Sequence, residues 1–172
     1  DIENKLLNIP HIKSVDIERD LPNALRIKIN ERYGVGILHQ KGRMNRPLLI
    51  DNEGFIFSGT IQPYKMLPAI IGYRDISRTK KRVYDNDVHL ALEIISICND
   101  NAQLRKFITI KEINISNTDY IALSLRNGIL IKISRTDLSK KLNDICSVIS
   151  ISNSRGQSIN NINAIGSTTI VR

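Results

Sequence analysis

The sequence predicts an α+β fold: a helix plus a β-hairpin, followed by a mainly antiparallel β domain with two helices. Two observations predict it. Over short stretches apolar residues alternate with polar ones, as Leu25, Ile27 and Ile29 do with Arg26, Lys28 and Asn30. That is the period of a strand with one buried face. Elsewhere the period lengthens: Val88, Leu92, Ile95 and Asn99 or Cys98 share one stripe, as do Leu138, Leu142, Ile145 and Ile149, the spacing of a helix packed along one side. Strands, helix, strands, helix, strand is an α+β order.

Residues 2–8 read as a helix lying on the first hairpin. Its strands run from Ile12 to Arg19 and from Ala24 to Arg32 around Asp20-Leu21-Pro22-Asn23, residue types that set or tolerate turn angles. Gly34 and Gly36 follow, where the chain is free to change direction sharply. The domain boundary is expected here, giving units of 1–33 and 34–172. The second unit opens with a strand from Val35 to His39 and a turn at Lys41-Gly42-Arg43. Strands at Leu48–Ile50 and Phe55–Ser58 then flank the turn Asp51-Asn52-Glu53-Gly54. A basic linker (Arg74, Arg78, Lys80, Lys81, Arg82) leads to the first long helix, capped by Asp85 or Asp87. Ile108, Ile110, Ile113 and Ile115 mark a strand region with an irregularity at Lys111-Glu112. Tyr120–Leu125 and Ile129–Ile133 flank Arg126-Asn127-Gly128, and Asn-Gly between alternating runs signals a tight hairpin. Thr136 or Asp137 starts the second long helix. Arg155-Gly156-Gln157 ends it, and Ile159 to Val171 closes the chain as a last extended segment.

Composition narrows the function. A chain of 172 residues with 41% hydrophobic and 24% charged residues is ordinary globular chemistry. No apolar run approaches the roughly 20 residues of a membrane-spanning helix. The net charge of +8 invites a nucleic-acid reading, but the basic residues are scattered and aromatics are 5% with no Trp, so bases would find few stacking platforms. The basic linker is a solvated loop or a contact for anionic lipid headgroups. His11, His39 and His89 lie far apart, with no metal-ligand spacing. Cys98 and Cys146 fall on helical apolar stripes, where thiols pack as small hydrophobes. Asp51 and Glu53 sit in a turn that needs acidic residues for backbone reasons. No catalytic, cofactor or metal residues are expected, so function must come through surfaces.

Three signatures in order carry a resemblance. Val15-x-Ile17-x-Arg19-x-x-Pro22-x-x-Leu25-x-Ile27-x-Ile29-x-Glu31-Arg32 comes first. Leu49-Ile50-Asp51-x-x-Gly54-x-Ile56-Phe57 and Leu67-Pro68-x-Ile70-x-Gly72 follow. Together they resemble the FtsQ/DivIB family of bacterial cell-division proteins, most closely its alphaproteobacterial branch because of Leu21-Pro22-x-x-Leu25 and Glu31-Arg32. The resemblance implies that residues 1–33 are the C-terminal part of a POTRA domain and 34–172 the family's β domain. It further implies an upstream cytoplasmic tail, one transmembrane helix and the start of POTRA, with this chain in the periplasm. The implied role is that of a non-enzymatic scaffold whose partners are FtsB- and FtsL-like division proteins, bound by strand addition at the last strand. Carried onto this sequence, that surface is Asn163, Ala164, Ile165, Gly166, Ser167, Thr168 and Thr169. Here the family's Asp, Arg and aromatic positions are Asn163, Ile165 and Gly166, which leaves a backbone-mediated contact possible and removes the ionic one. A single POTRA-like unit also allows a peptide-binding role in outer-membrane assembly or secretion.

Overall fold

The computed structural model describes residues 2–38, 47–59, 66–73, 82–166 and 169–171. The expected strand end at His39, the turn at 41–43 and most of the basic linker lie outside them. Helix α1 (Ile2–Leu7) lies against strand β1 (Ile12–Asp20), which pairs antiparallel with β2 (Ala24–Glu31). The Leu21–Pro22 bond in their connection is cis. The hairpin stands as expected, but its expected buried face does not: Leu25, Ile27 and Ile29 are 45%, 41% and 44% exposed. A six-residue helix covers only the neighbouring strand, so Val15 of β1 is the one buried hydrophobic residue among described residues 2–34.

The remaining strands form one sheet. They are β3 (Gly36–Leu38), β4 (Leu48–Ile50), β5 (Ile56–Ser58), β6 (Ala69–Ile71), β7 (Ile110–Asn114), β8 (Tyr120–Leu125), β9 (Leu130–Ser134), β10 (Asn161–Ala164) and β11 (Ile170–Val171). Their order is β11-β10-β9-β8-β7-β6-β3-β4-β5. Pairing is mainly antiparallel, with parallel contacts at β3–β6, β6–β7 and β9–β10. Parallel neighbours need a long crossover, and helices supply two of them. α2 (Asn86–Asp100) and α3 (Ala102–Phe107) link β6 to β7, while α4 (Leu138–Ser154) links β9 to β10. Val88, Leu92, Ile95 and Cys98 of α2 and Leu138, Leu142, Ile145 and Ile149 of α4 are buried, as their spacing predicted. They pack with Ile113, Ile121, Leu123, Ile131, Ile133 and Ile162 in one core that draws no buried residue from before Leu38.

Local chemistry explains the element ends. Asp85 caps α2, its carboxylate accepting from the N–H groups of Asp87 (2.8 Å) and Val88 (3.3 Å). The short helix α3 was not expected; Asn101 caps it by accepting from Gln103 and Leu104 N–H. Asp137 takes the cap position of α4 with φ 56° and no side-chain cap bond. A register shift between Ile110 and Glu112 places the irregularity of β7 where it was expected. The β8–β9 turn is the expected tight one, although only Gly128 takes positive φ (93°), while Asn127 Oδ1 accepts from Ile129 N–H. Gly34 and Gly36 correct the reading in another way. Neither has positive φ; instead a Cβ on Gly34 would meet Leu49 Cβ at 3.2 Å, and one on Gly36 would meet Ile70 Cδ1 at 3.2 Å. Close packing onto β4 and β6, not a turn, is what favours glycine there.

Candidate functional site

The segment from Ile159 to Val171 is not one strand. β10 pairs parallel with β9 through Asn161↔Leu130 to Ala164↔Ile133, and the chain then reverses so that β11 pairs antiparallel with β10. Asn163 therefore has strand neighbours on both sides, while Ala164 pairs with Ile133 of β9. Ile165 and Gly166 form the bend, Thr169 leads into β11, and Ser167 and Thr168 lie outside the described residues. Among the described residues β11 is the open edge of the sheet, with Ile170 55% and Val171 39% exposed. Sequence reasoning placed the surface just before these two residues, since it took the segment as a single strand.

Shallow grooves flank β11 on both faces of the sheet. Side chains alternate along a strand, so Ile170 and Val171 project to opposite faces. Ile170 joins Ser124, Leu130, Lys132, Asn161 and Asn163 around a groove of about 420 Å³ on the face away from α4. Val171 joins Val148, Ile151, Ser152, Gln157 and Ile159 around one of about 550 Å³ beside that helix. The edge thus presents backbone N–H and C=O groups between two receptacles for side chains. At the opposite edge the chain meets itself: Phe55, just before β5, bridges to Arg82, and Val83 N–H donates to Gly54 O at 2.9 Å. Arg82, the one described member of the basic linker, also donates from Nε to Glu53 O.

The turn between β4 and β5 is a polar junction with the hairpin. Asp51 is 3% exposed. Its Oδ1 accepts from the N–H groups of Glu53 (2.9 Å) and Phe55 (2.8 Å), and its Oδ2 from Arg32 Nη1 at 2.7 Å. The Arg32 guanidinium lies 3.7 Å from the Phe55 ring centre. Lys13 and Glu53 pair at 2.7 Å, and His11 meets Phe57 edge-on at 5.2 Å. The hydrogen bond and charge of Lys13, with smaller help from Arg32 and Arg82, hold the Glu53 carboxyl below its usual range. Both carboxylate oxygens of Asp51 are engaged in structural hydrogen bonds, in keeping with its reading as a turn residue.

Both cysteines are free thiols in the core. Burial, helped by neighbouring Cys146, pushes Cys98 up to about 12, and burial also raises Cys146. Such thiols stay protonated at neutral pH and are poor nucleophiles. His89 Nε2 lies 3.2 Å from Val83 O, and His39 is outside the described residues. Among the described residues no group of three or more His, Cys, Asp or Glu could hold a metal, and no helix is long and apolar enough to cross a membrane.

Comparison with known proteins agrees with this architecture. Residues 1–32 match the family described as POTRA domain, FtsQ-type. Residues 39–162 match the one described as cell division protein FtsQ/DivIB, C-terminal. Over 72 residues the chain is 38% identical to the cell division protein FtsQ of Rickettsia prowazekii (strain Madrid E). It is 36% identical to those of Rickettsia typhi (strain Wilmington) and Rickettsia felis. Each alignment takes in 42% of this chain and 26% of the relative, so the matched stretch spans about a quarter of the length of these curated relatives. The hairpin with its Glu31-Arg32 end falls inside the first match and strands β4 to β9 with helices α2 to α4 inside the second, in the expected order, while β3 and β11 lie outside both. The second match alone exceeds half of the sequence, and the chain therefore belongs to the FtsQ/DivIB cell-division protein family.

Proposed function

We propose that this chain is a non-enzymatic scaffold of the division machinery that binds periplasmic segments of FtsB- and FtsL-like partners by strand addition at β11. The observation that carries the reading is the open β11 edge between its two grooves. An unpaired strand offers a row of donors and acceptors to an extended segment, while the grooves accept its alternate side chains. Asn163 to Gly166 frame that edge by making the reversal. The reading places the chain on the periplasmic side of the inner membrane, tethered by an anchor preceding it in the full-length protein. It also treats residues 1–33 and 34–172 as two units. The support for that division is the core, which draws its buried residues from Leu38 onward, and the ionic character of the Arg32 and Lys13 contacts.

Two proline substitutions test the docking surface. Proline removes the backbone donor, and donors of adjacent residues in a strand face opposite sides. Of Ile170→Pro and Val171→Pro, the one whose N–H faces outward is expected to weaken binding of a synthetic FtsB-like periplasmic segment at least about tenfold, the worth of one to two net hydrogen bonds. Circular dichroism should show an unchanged fold. The other variant should instead loosen the β10–β11 pairing. Unchanged binding in both, measured by calorimetric titration, would place the contact elsewhere.

A further inference from the structure

The reversal that delivers β11 is held by a side chain from another element. Lys141 lies in the first turn of α4, partly buried, with its backbone N–H donating to Asp137 O. Its Nζ donates to Ala164 O at 2.8 Å and to Gly166 O at 2.5 Å, and lies 3.4 Å from Ile165 O. An ammonium has three donors, and here they meet three consecutive carbonyls at the end of β10. Such charge-assisted bonds are roughly twice as strong as neutral ones. Asn163 Oδ1 braces the same bend by accepting from Ile165 N–H at 3.1 Å.

β11 itself has little to fix its place. Among the described residues it pairs through two positions, Ile162↔Val171 and Asn163↔Ile170, and neither of its side chains is buried. Two strand pairs without a buried side chain form a weak unit. Among the described residues, the side-chain contacts that hold the reversal are those of Lys141 and Asn163 at Ala164 to Gly166.

We infer that Lys141 is a positioning residue for the partner-binding edge. By gathering the carbonyls of Ala164, Ile165 and Gly166 it keeps β11 folded back along β10. It thereby sets the fraction of molecules that present a competent edge. This rests on the strand-addition reading above. Apparent affinity falls in proportion to the competent fraction, so loosening the bend weakens binding although Lys141 itself points inward.

The test pairs hydrogen exchange with binding. Lys141→Met keeps the aliphatic stem and removes the donors, and Lys141→Arg keeps a cation at the same place. In Lys141→Met, whichever amide of Ile170 and Val171 faces β10 is expected to exchange about tenfold faster or more. Ile131 and Ile133 of β9 should exchange as in the wild type. The dissociation constant for a synthetic FtsB-like periplasmic segment should rise by a similar factor, and Lys141→Arg should recover part of both effects. Lys141→Gln supplies the same comparison if the methionine disturbs β9. Unchanged exchange in β11 would overturn the inference, and so would a loosened β11 with unchanged affinity. A wild-type domain that binds no such segment, while β11 exchange still depends on Lys141, would overturn the edge reading and confine Lys141 to holding the strand.

Discussion

Replacing Asp51 with alanine is expected to destabilise the protein by about 3–5 kcal/mol, the range for removing one partner of a buried ion pair. The side chains of Arg32 and Asp51 are only 12% and 4% exposed, so solvent cannot take over the lost contact. Arg32 would keep its charge in a site where its Nε already has no hydrogen-bond partner. The N–H groups of Glu53 and Phe55 would lose their acceptor as well. Asp51→Asn keeps an oxygen for that turn and should cost less. Set against a total stability of about 5–15 kcal/mol, that is a fifth of the total or more. Urea denaturation checks this through the midpoint at constant slope. A loss below about 1 kcal/mol would mean that the junction is solvated and the pair is not structural.

A second large effect is expected in the core. Leu142→Ala should cost about 2–5 kcal/mol, the range for truncating a buried leucine. Leu142 is fully buried on the inner stripe of α4, and alanine there leaves a cavity that the surrounding isoleucine side chains can fill only by shifting. At roughly 2–4 °C per kcal/mol for a protein of this size, the melting temperature should fall by on the order of 10 °C. An exposed position on the same helix, such as Lys140→Ala, should change it by about 0.5 kcal/mol at most. Equal effects at the two positions would contradict the placement of α4.

Much of this architecture was legible because its signals are local. The stripes of α2 and α4, the alternation of β8 and β9 and the Asn127-Gly128 turn are short-range patterns, and each formed where its pattern stood. What was missed depends on neighbours distant in sequence. Leu25, Ile27 and Ile29 alternate as a buried face should, yet α1 is too short to reach them. Gly34 and Gly36 read as turn residues because sequence cannot show that β4 and β6 approach them so closely. α3 has only six residues, and its one available signal was Asn101 before Leu104 and Phe107. The reversal at Ile165 and Gly166, which divides the closing segment into β10 and β11, was not legible either, because the Lys141 side chain that meets its carbonyls lies more than twenty positions away. Strand addition as a mode of contact came from family resemblance, whereas the grooves beside Ile170 and Val171 were visible only in three dimensions.

Hydrogen exchange of the domain, free and bound to a synthetic FtsB-like periplasmic segment, tests the central claim most directly. Strand addition at β11 predicts that the one amide of Ile170 and Val171 facing away from β10 becomes protected at least about tenfold on binding. The start of β5, already bridged through Phe55 and Arg82, should not change. Protection confined to β5 or to the β1–β2 hairpin, with both β11 amides unaltered in the complex, would contradict it.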